Sequence, residues 1–143
     1  MITMKAKSMF FDRKAVKGLM DKRTRQALSR AGAFVRQSAR NSIRKRKAVS
    51  KPGQPPSSHA GHLKRLIWFA YDPEKQSVVI GPARFKEGEA PSLLEFGGKA
   101  TRKRKGGKRV VATYQPRPFM GPALEKELPK LPSHWVKSVK GGE

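Results

Sequence analysis

The chain contains no cysteine, few acidic residues and no long hydrophobic run. The lack of Cys among its 143 residues excludes a disulfide scaffold, a thiol nucleophile and a cysteine-ligated zinc site. No stretch approaches the roughly 20 apolar residues that a transmembrane helix needs. Residues 1–11 also lack an apolar run of signal-peptide length. We therefore expect no membrane partner.

The scarcity of acidic residues leaves a large excess of positive charge. The chain carries 33 Lys and Arg residues against 10 Asp and Glu residues, a formal net charge of +23. Residues 1–51 hold 16 basic and 2 acidic residues, residues 52–98 hold 5 of each, and residues 99–143 hold 12 and 3. A neutral middle segment is thus flanked by two basic segments.

Eleven cations in and beside two dense runs are the candidate binding residues. They are Arg44, Lys45, Arg46, Lys47, Lys51, Arg102, Lys103, Arg104, Lys105, Lys108 and Arg109. Such density creates a positive potential that attracts polyanions. The partner is then nucleic acid or an acidic protein surface, and charge alone does not choose between them. The third alternative is that both runs are solvated loop tips.

The first half of the chain is predicted to form one long helix and a loop. Apolar residues recur at three- and four-residue steps over residues 13–44, which indicates a helix with Asp12 as N-cap and an N-terminal arm at 1–12. Residues 48–61 follow as a loop, because its three prolines remove backbone donors and fix φ. This loop is either an extended arm that docks on another subunit or a flexible connector.

The second half alternates strands with short helices. A hairpin is predicted from strands at 66–71 and 77–80 around an Asp72-Pro73 turn. The other predicted elements are a helix at 90–96, a basic loop at 99–109, a strand at 110–114, a helix at 119–128 and a C-terminal tail at 129–143 with an amphipathic piece at 133–139. This order indicates one α+β domain over residues 1–143: a long N-terminal helix packed across a small antiparallel sheet, with short helices after the strands.

No group of residues has the pattern of a catalytic or metal site. His59 and His62 are three residues apart, but neither Cys nor a nearby carboxylate completes the roughly four ligands that zinc needs. Glu95 is the one acidic residue inside an apolar segment. Such a Glu is catalytic when its pKa is raised, but more often it caps, pairs with Arg or accepts backbone donors, and we favour pairing. We predict no enzymatic activity, no cofactor and no metal.

Four segments in order resemble a known family. Residues 60–67 resemble a Thr-Gly-x-Leu-basic-x-Ser-Ile element, and residues 78–82 resemble the strand that follows it. Residues 93–97 (Leu-Leu-Glu-Phe-Gly) resemble Tyr-x-Glu-Phe-Gly, and residues 117–124 resemble Arg-Pro-Phe-x-x-Pro-Ala-Leu. After a basic N-terminal helix, this series is similar to the minor tail-component family of long-tailed bacteriophages, over roughly residues 13–127.

The resemblance implies a structural virion protein of the phage neck or tail, acting in tail completion or head–tail joining. It implies a homo-oligomeric ring, with a hexamer expected, that contacts other neck and tail proteins and phage DNA if the ring surrounds the channel. The protein would assemble in the host cytoplasm and reside in the virion. The motif residues would be structural, with Glu95 paired and Phe96 packed: Gly61, Leu63, Glu95, Phe96, Gly97, Arg117, Pro118, Phe119 and Pro122. The competing hypothesis is a standalone basic nucleic-acid-binding protein.

Overall fold

The computed structural model describes residues 13–83 and 90–139, so the predicted N-cap Asp12 and the arm at 1–12 lie outside the described residues. In chain order the elements are α1 (Arg13–Ser42), β1 (Arg44–Lys45), β2 (Ser57–Ser58), α2 (His62–Arg65), β3 (Ile67–Asp72), β4 (Ser77–Pro82), α3 (Ala90–Phe96), β5 (Gly98–Lys103), β6 (Arg109–Tyr114), α4 (Met120–Glu127), a 3-10 turn (Leu128–Lys130) and α5 (Leu131–Val139). The described strands form three two-stranded sheets, with β1–β2 parallel and the pairs β3–β4 and β5–β6 antiparallel. The α+β class is as predicted.

Helix α1 organises the domain and is slightly shorter than predicted. Its 30 residues span about 45 Å at 1.5 Å per residue. Its buried apolar residues recur every four positions, namely Ala27, Ala31, Val35 and Ala39, and Ile43, directly after the end of the helix, continues the series. The helix was predicted to reach residue 44 but ends at Ser42, because Arg44 and Lys45 pair in parallel with Ser57 and Ser58.

The predicted hairpin forms as β3 and β4 and lies across α1. The register runs from Ile67 opposite Pro82 to Asp72 opposite Ser77. The Asp72 carboxylate stabilises the turn by accepting hydrogen bonds from the backbone N–H groups of residues 74 and 75, at 3.0 and 3.2 Å. Strand alternation buries Ile67 completely and leaves Trp68 on the exposed face.

Helix α1 approaches the hairpin closely at Gly32. A Cβ atom built there would lie 2.8 Å from Cγ2 of Val78 and 2.9 Å from Cδ2 of Phe69. Protein interiors are packed too tightly to absorb such overlap without displacing neighbours. Gly18, in the exposed part of the same helix, has nothing within 4 Å of the same position.

We expect the two glycines to respond in opposite directions to alanine. Gly32→Ala should destabilise the protein, because overpacking costs about 1–3 kcal/mol and outweighs the gain of about 1 kcal/mol in helix propensity. Gly18→Ala should keep only the propensity gain. Urea denaturation of both variants measures the difference, and equal stabilisation of the two would show that helix and hairpin do not meet at Gly32.

The hydrophobic core lies between the C-terminal half of α1, the start of β3 and α4. Its buried members are Val35, Ala39, Ile43, Leu63, Ile67, Phe119 and Ala123. Phe119 is the largest of them and only 1% exposed. The core is small, which matches the hydrophobic fraction of 36%.

The C-terminal tail predicted at 129–143 is instead mostly helical. The helix predicted at 119–128 is confirmed as α4, the 3-10 turn follows it directly, and α5 includes the predicted amphipathic piece. Helix α5 packs back on α1, where the rings of Phe34 and His134 stack with centroids 5.2 Å apart. This return contact explains why the segment is ordered rather than extended. Residues 140–143 lie outside the described part.

Glu127 joins α4 to α1 through a buried hydrogen bond. The Ser38 hydroxyl donates to its Oε1 at 2.5 Å, and Lys130 Nζ lies 3.2 Å from its Oε2. The Ser38 hydrogen bond is the main cause that lowers the pKa of Glu127 below its ordinary value; burial opposes this and Lys130 adds to it. The carboxylate is therefore ionised in the folded state at neutral pH.

This lowered pKa predicts how the stability depends on pH. A group whose pKa is lower in the folded than in the unfolded state stabilises the fold above its unfolded pKa, and the contribution disappears as the pH falls through the folded pKa. The stability difference between the wild type and Glu127→Gln should therefore be largest at neutral pH and shrink in acid. Denaturation at several pH values measures it, with the exposed Glu74→Gln as control. A difference independent of pH would contradict the prediction.

Candidate functional site

The most distinctive surface is the hairpin formed by β5 and β6. The sequence predicted a basic loop at 99–109, but Gly98–Lys103 pairs with Arg109–Tyr114 along their whole length, so the prediction of a loop was wrong. Only Ala100, Ala112 and Tyr114 are partly covered, and every other residue of both strands is exposed. The hairpin therefore projects from the domain, with its base against α3.

The turn at the tip brings basic residues face to face. The backbone N–H of Arg104 donates to the carbonyl of Lys108 at 2.9 Å, and Gly107 N–H donates to the carbonyl of Arg104 at 3.1 Å. Gly106 and Gly107 have φ values of 103° and 81°, which suit glycine and let the chain reverse tightly. Lys103 stands directly opposite Arg109 in the register, and Arg104 and Lys108 form the next pair.

The hairpin carries seven cations and no acidic residue between 98 and 114: Lys99, Arg102, Lys103, Arg104, Lys105, Lys108 and Arg109. Within residues 13–83 and 90–139, none of these side chains joins a hydrogen bond or an ion pair. Like charges opposite each other on paired strands are destabilising. The described part of the chain thus leaves this charge uncompensated, which is the condition for attracting a polyanion.

The other basic run lies at the end of α1. Arg44, Lys45, Arg46, Lys47 and Lys51 are all exposed. Of these, Arg46 is held by a hydrogen bond of 2.9 Å from its Nε to the Ser57 hydroxyl. The following loop packs on its own chain, because Gly53 N–H donates to the Pro116 carbonyl at 2.9 Å. Docking of this loop on another subunit stays a prediction.

The hairpin is anchored by Glu95, which caps α4. Its Oε2 accepts hydrogen bonds from the backbone N–H groups of Phe119 and Met120 at 2.9 and 3.0 Å, and its Oε1 accepts one from Gly121 at 2.8 Å. We favoured a pair with Arg, but the carboxylate accepts backbone donors, which was the alternative, and no described Arg side chain bonds to it. The first N–H groups of a helix lack intrahelical partners, and the carboxylate satisfies three of them.

Gly97 links this cap to the base of the hairpin. Its φ of 72° lies in the left-handed region, and a Cβ there would meet the Tyr114 carbonyl at 2.8 Å and Pro116 at 3.0 Å. Arg117 N–H donates to the Leu94 carbonyl at 2.6 Å, so the chain leaving β6 is tied to α3. Only glycine fits this crossing without displacement.

The remaining motif residues lie at this corner, in the core or in the turn before α2. Arg117 Nε donates to the Ser50 carbonyl at 3.0 Å, and Pro118 and Pro122 flank the capped start of α4. Leu63 is buried against the core, and Gly61 N–H donates to the Ser58 hydroxyl at 3.0 Å. Motif segments far apart in sequence are therefore neighbours in space.

Phe96 departs from the prediction that it packs. Its side chain is 80% exposed, because α3 ends there and turns the ring away from the core. It borders an apolar groove of about 1030 Å³ that sequence reasoning missed, lined among others by Val78, Ile80, Met120 and Leu124. Separate elements contribute these residues, so no local pattern could reveal the groove. The one signal for the groove in the sequence was that it has more apolar residues than the small core takes up.

The described part of the chain offers neither a metal site nor a membrane-spanning helix. No three His, Asp or Glu side chains there lie close enough together to hold a metal ion. None of the helices in residues 13–83 and 90–139 has the length and apolar composition needed to cross a membrane.

Comparisons of the chain with protein-family models, with curated proteins and with solved structures gave no match. Functional inference therefore depends on the motifs and the geometry.

We expect Glu95→Gln to destabilise the domain by about 2 kcal/mol. The amide keeps one acceptor oxygen, loses the charge and turns an NH2 group towards backbone donors. A hydrogen bond to a charged group contributes about 1.5–3 kcal/mol to stability, so the loss of this charge is costly. The midpoint of thermal unfolding should fall by about 6 °C. The control is Glu125→Gln, an exposed residue in α4, which should shift the midpoint by less than about 1 °C. Equal midpoints for the two variants would refute the cap.

Proposed function

We propose that this protein is a non-enzymatic structural subunit of a bacteriophage neck or tail, which acts in tail completion or head–tail joining as part of a homo-oligomeric ring. The observation that carries the proposal is the convergence of the family-like segments. Glu95 caps the helix that Arg117 to Pro122 begins, and Gly97 packs against the segment before it. Residues that resemble the family's motifs thus have a shared structural role, as motifs of a scaffold protein would.

The surface of the single chain also supports assembly. Phe96 is 80% exposed beside the apolar groove between β4, α3 and α4. Exposed apolar patches of this kind mark interaction surfaces. A ring requires heterologous contacts, in which one patch meets a different patch of the next copy. In α1, Leu19 and Met20 are both more than half exposed and offer such a second patch.

Electrostatics favour the groove as the place where copies meet. With a formal net charge of +23, two copies repel each other over most of their surfaces. Among the described residues, the groove lining has a single titratable side chain, Glu95, and its carboxylate is occupied by the cap. When two copies meet at the groove, no basic side chain of the described lining faces the neighbouring copy.

Electron microscopy of lysates from the parent phage, with this reading frame deleted, tests the role. We expect filled heads and separate tails after deletion, and joined virions when the wild-type chain is supplied in trans. Phe96→Asp should restore joining poorly, because it puts a charge at the rim of the groove. The matched control is Val49→Asp, since Val49 is 74% exposed and lies outside the groove lining.

Two results would count against the proposal. Normal joined virions without the reading frame would reject the joining role itself. Full complementation by Phe96→Asp, with joining lost on deletion, would keep the role and reject the groove as the contact between copies. Size-exclusion chromatography together with circular dichroism of the purified variants separates an assembly defect from misfolding, because an exposed substitution should leave the folded monomer intact.

A further inference from the structure

We propose that the β5–β6 hairpin is a DNA-binding arm that enters a groove of duplex DNA and contacts its phosphates without regard to sequence. This inference stands on the hairpin alone and does not depend on the assembly role. It starts from the five cations at the tip, namely Lys103, Arg104, Lys105, Lys108 and Arg109.

The tip concentrates charge that the described acidic residues do not neutralise. Lys103 faces Arg109 in the strand register, and Arg104 is tied to Lys108 by a backbone hydrogen bond of 2.9 Å. Among the described residues, no acidic group pairs with any of them. Two successive like-charge pairs repel, and a row of phosphates between and beside them would remove that repulsion.

The shape of the hairpin suits a groove better than a flat surface. In the register, Lys99, Lys103 and Arg109 share one face, whereas Arg102 points to the other and Lys105 lies in the turn. A flat acidic protein surface would contact one face and leave the others in solvent. The major groove of DNA is about 12 Å wide, accepts a two-stranded ribbon and has phosphates on both sides.

The composition of the hairpin favours binding of duplex DNA over single-stranded DNA. Proteins that bind single strands stack bases on aromatic side chains. The only aromatic residue between 98 and 114 is Tyr114, which is partly covered at the base. The segment also has no Asn or Gln to read adenine edges and no Asp or Glu to read cytosine. Its Lys and Arg side chains are able to bind guanine edges as well as phosphates, so the comparison of two duplexes of different sequence decides whether the contacts are with the backbone.

Fluorescence anisotropy with the full chain and a 30-base-pair duplex of mixed sequence tests the proposal. Neutralising five phosphates gives a slope of about −4.5 in log affinity against log salt, or about 500-fold weaker binding between 50 and 200 mM salt. We expect the variant with Ala at the five tip positions to lose most of this slope. A second duplex of different sequence should bind with the same affinity within about threefold.

The control removes the same charge elsewhere. It carries Ala at five exposed positions away from the hairpin, Lys14, Lys17, Lys22, Arg30 and Lys75. We expect this variant to keep most of the affinity and most of the salt slope. Circular dichroism and thermal unfolding establish that both variants are folded; removing like-charge pairs should not destabilise the hairpin.

Three outcomes would overturn the proposal. If both variants lose affinity equally, binding follows net charge and not the hairpin. If poly-L-glutamate competes as well as duplex DNA at equal charge, the arm fits an acidic protein surface instead. If a single strand binds as tightly as the duplex, the hairpin does not enter a groove. None of these results bears on the deletion phenotype, so the DNA contact and the joining role fail separately.

Discussion

The cap that Glu95 places on α4 is the constraint on which the arrangement of α3, the β5–β6 hairpin and α4 depends. One carboxylate accepts three backbone N–H groups, from Phe119, Met120 and Gly121, and so fixes α3 against the start of α4. Phe119 is thereby held in the core, at 1% exposure. Because the chain between these two helices is the β5–β6 hairpin, the same contact clamps both ends of the hairpin. The projecting strands can then be exposed without loosening the domain that carries them.

Such a clamp explains how a small core supports a long exposed element. The hairpin itself buries almost no apolar surface, and an isolated two-stranded hairpin is marginal in water. Its stability must come from its base, where Gly97 packs against Tyr114 and Pro116 and where Arg117 donates to Leu94. Charge repulsion at the tip acts against pairing, but it acts far from that base. The two effects are thus separated along the hairpin.

The elements that follow local rules could be predicted from the sequence, and those that depend on distant partners could not. Helix α1 and the β3–β4 hairpin were predicted because apolar periodicity and an Asp-Pro turn are local signals. Strand β5 was missed because its basic composition looks like a solvated loop, and its pairing depends on β6. The Glu95 cap was named only as an alternative to pairing with Arg, because its partners lie 24 to 26 residues away and no local pattern identifies them. The exposure of Phe96 was missed because an apolar residue type favours burial until the fold turns it outwards.

The proposed assembly and the proposed DNA contact require different surfaces of one strongly basic chain. Association of like-charged copies is opposed by their mutual repulsion, and it becomes easier when a polyanion neutralises them. The contact surface between copies and the cationic arm are therefore best kept on different parts of the molecule. Here the apolar groove lies between β4, α3 and α4, whereas the five tip cations lie at the far end of the hairpin that follows α3. A ring that gathers several such arms would concentrate their charge around one DNA, and DNA held there would in turn reduce the repulsion between subunits. Binding of duplex DNA and formation of the ring should then favour each other, since each removes part of the free-energy cost of the other.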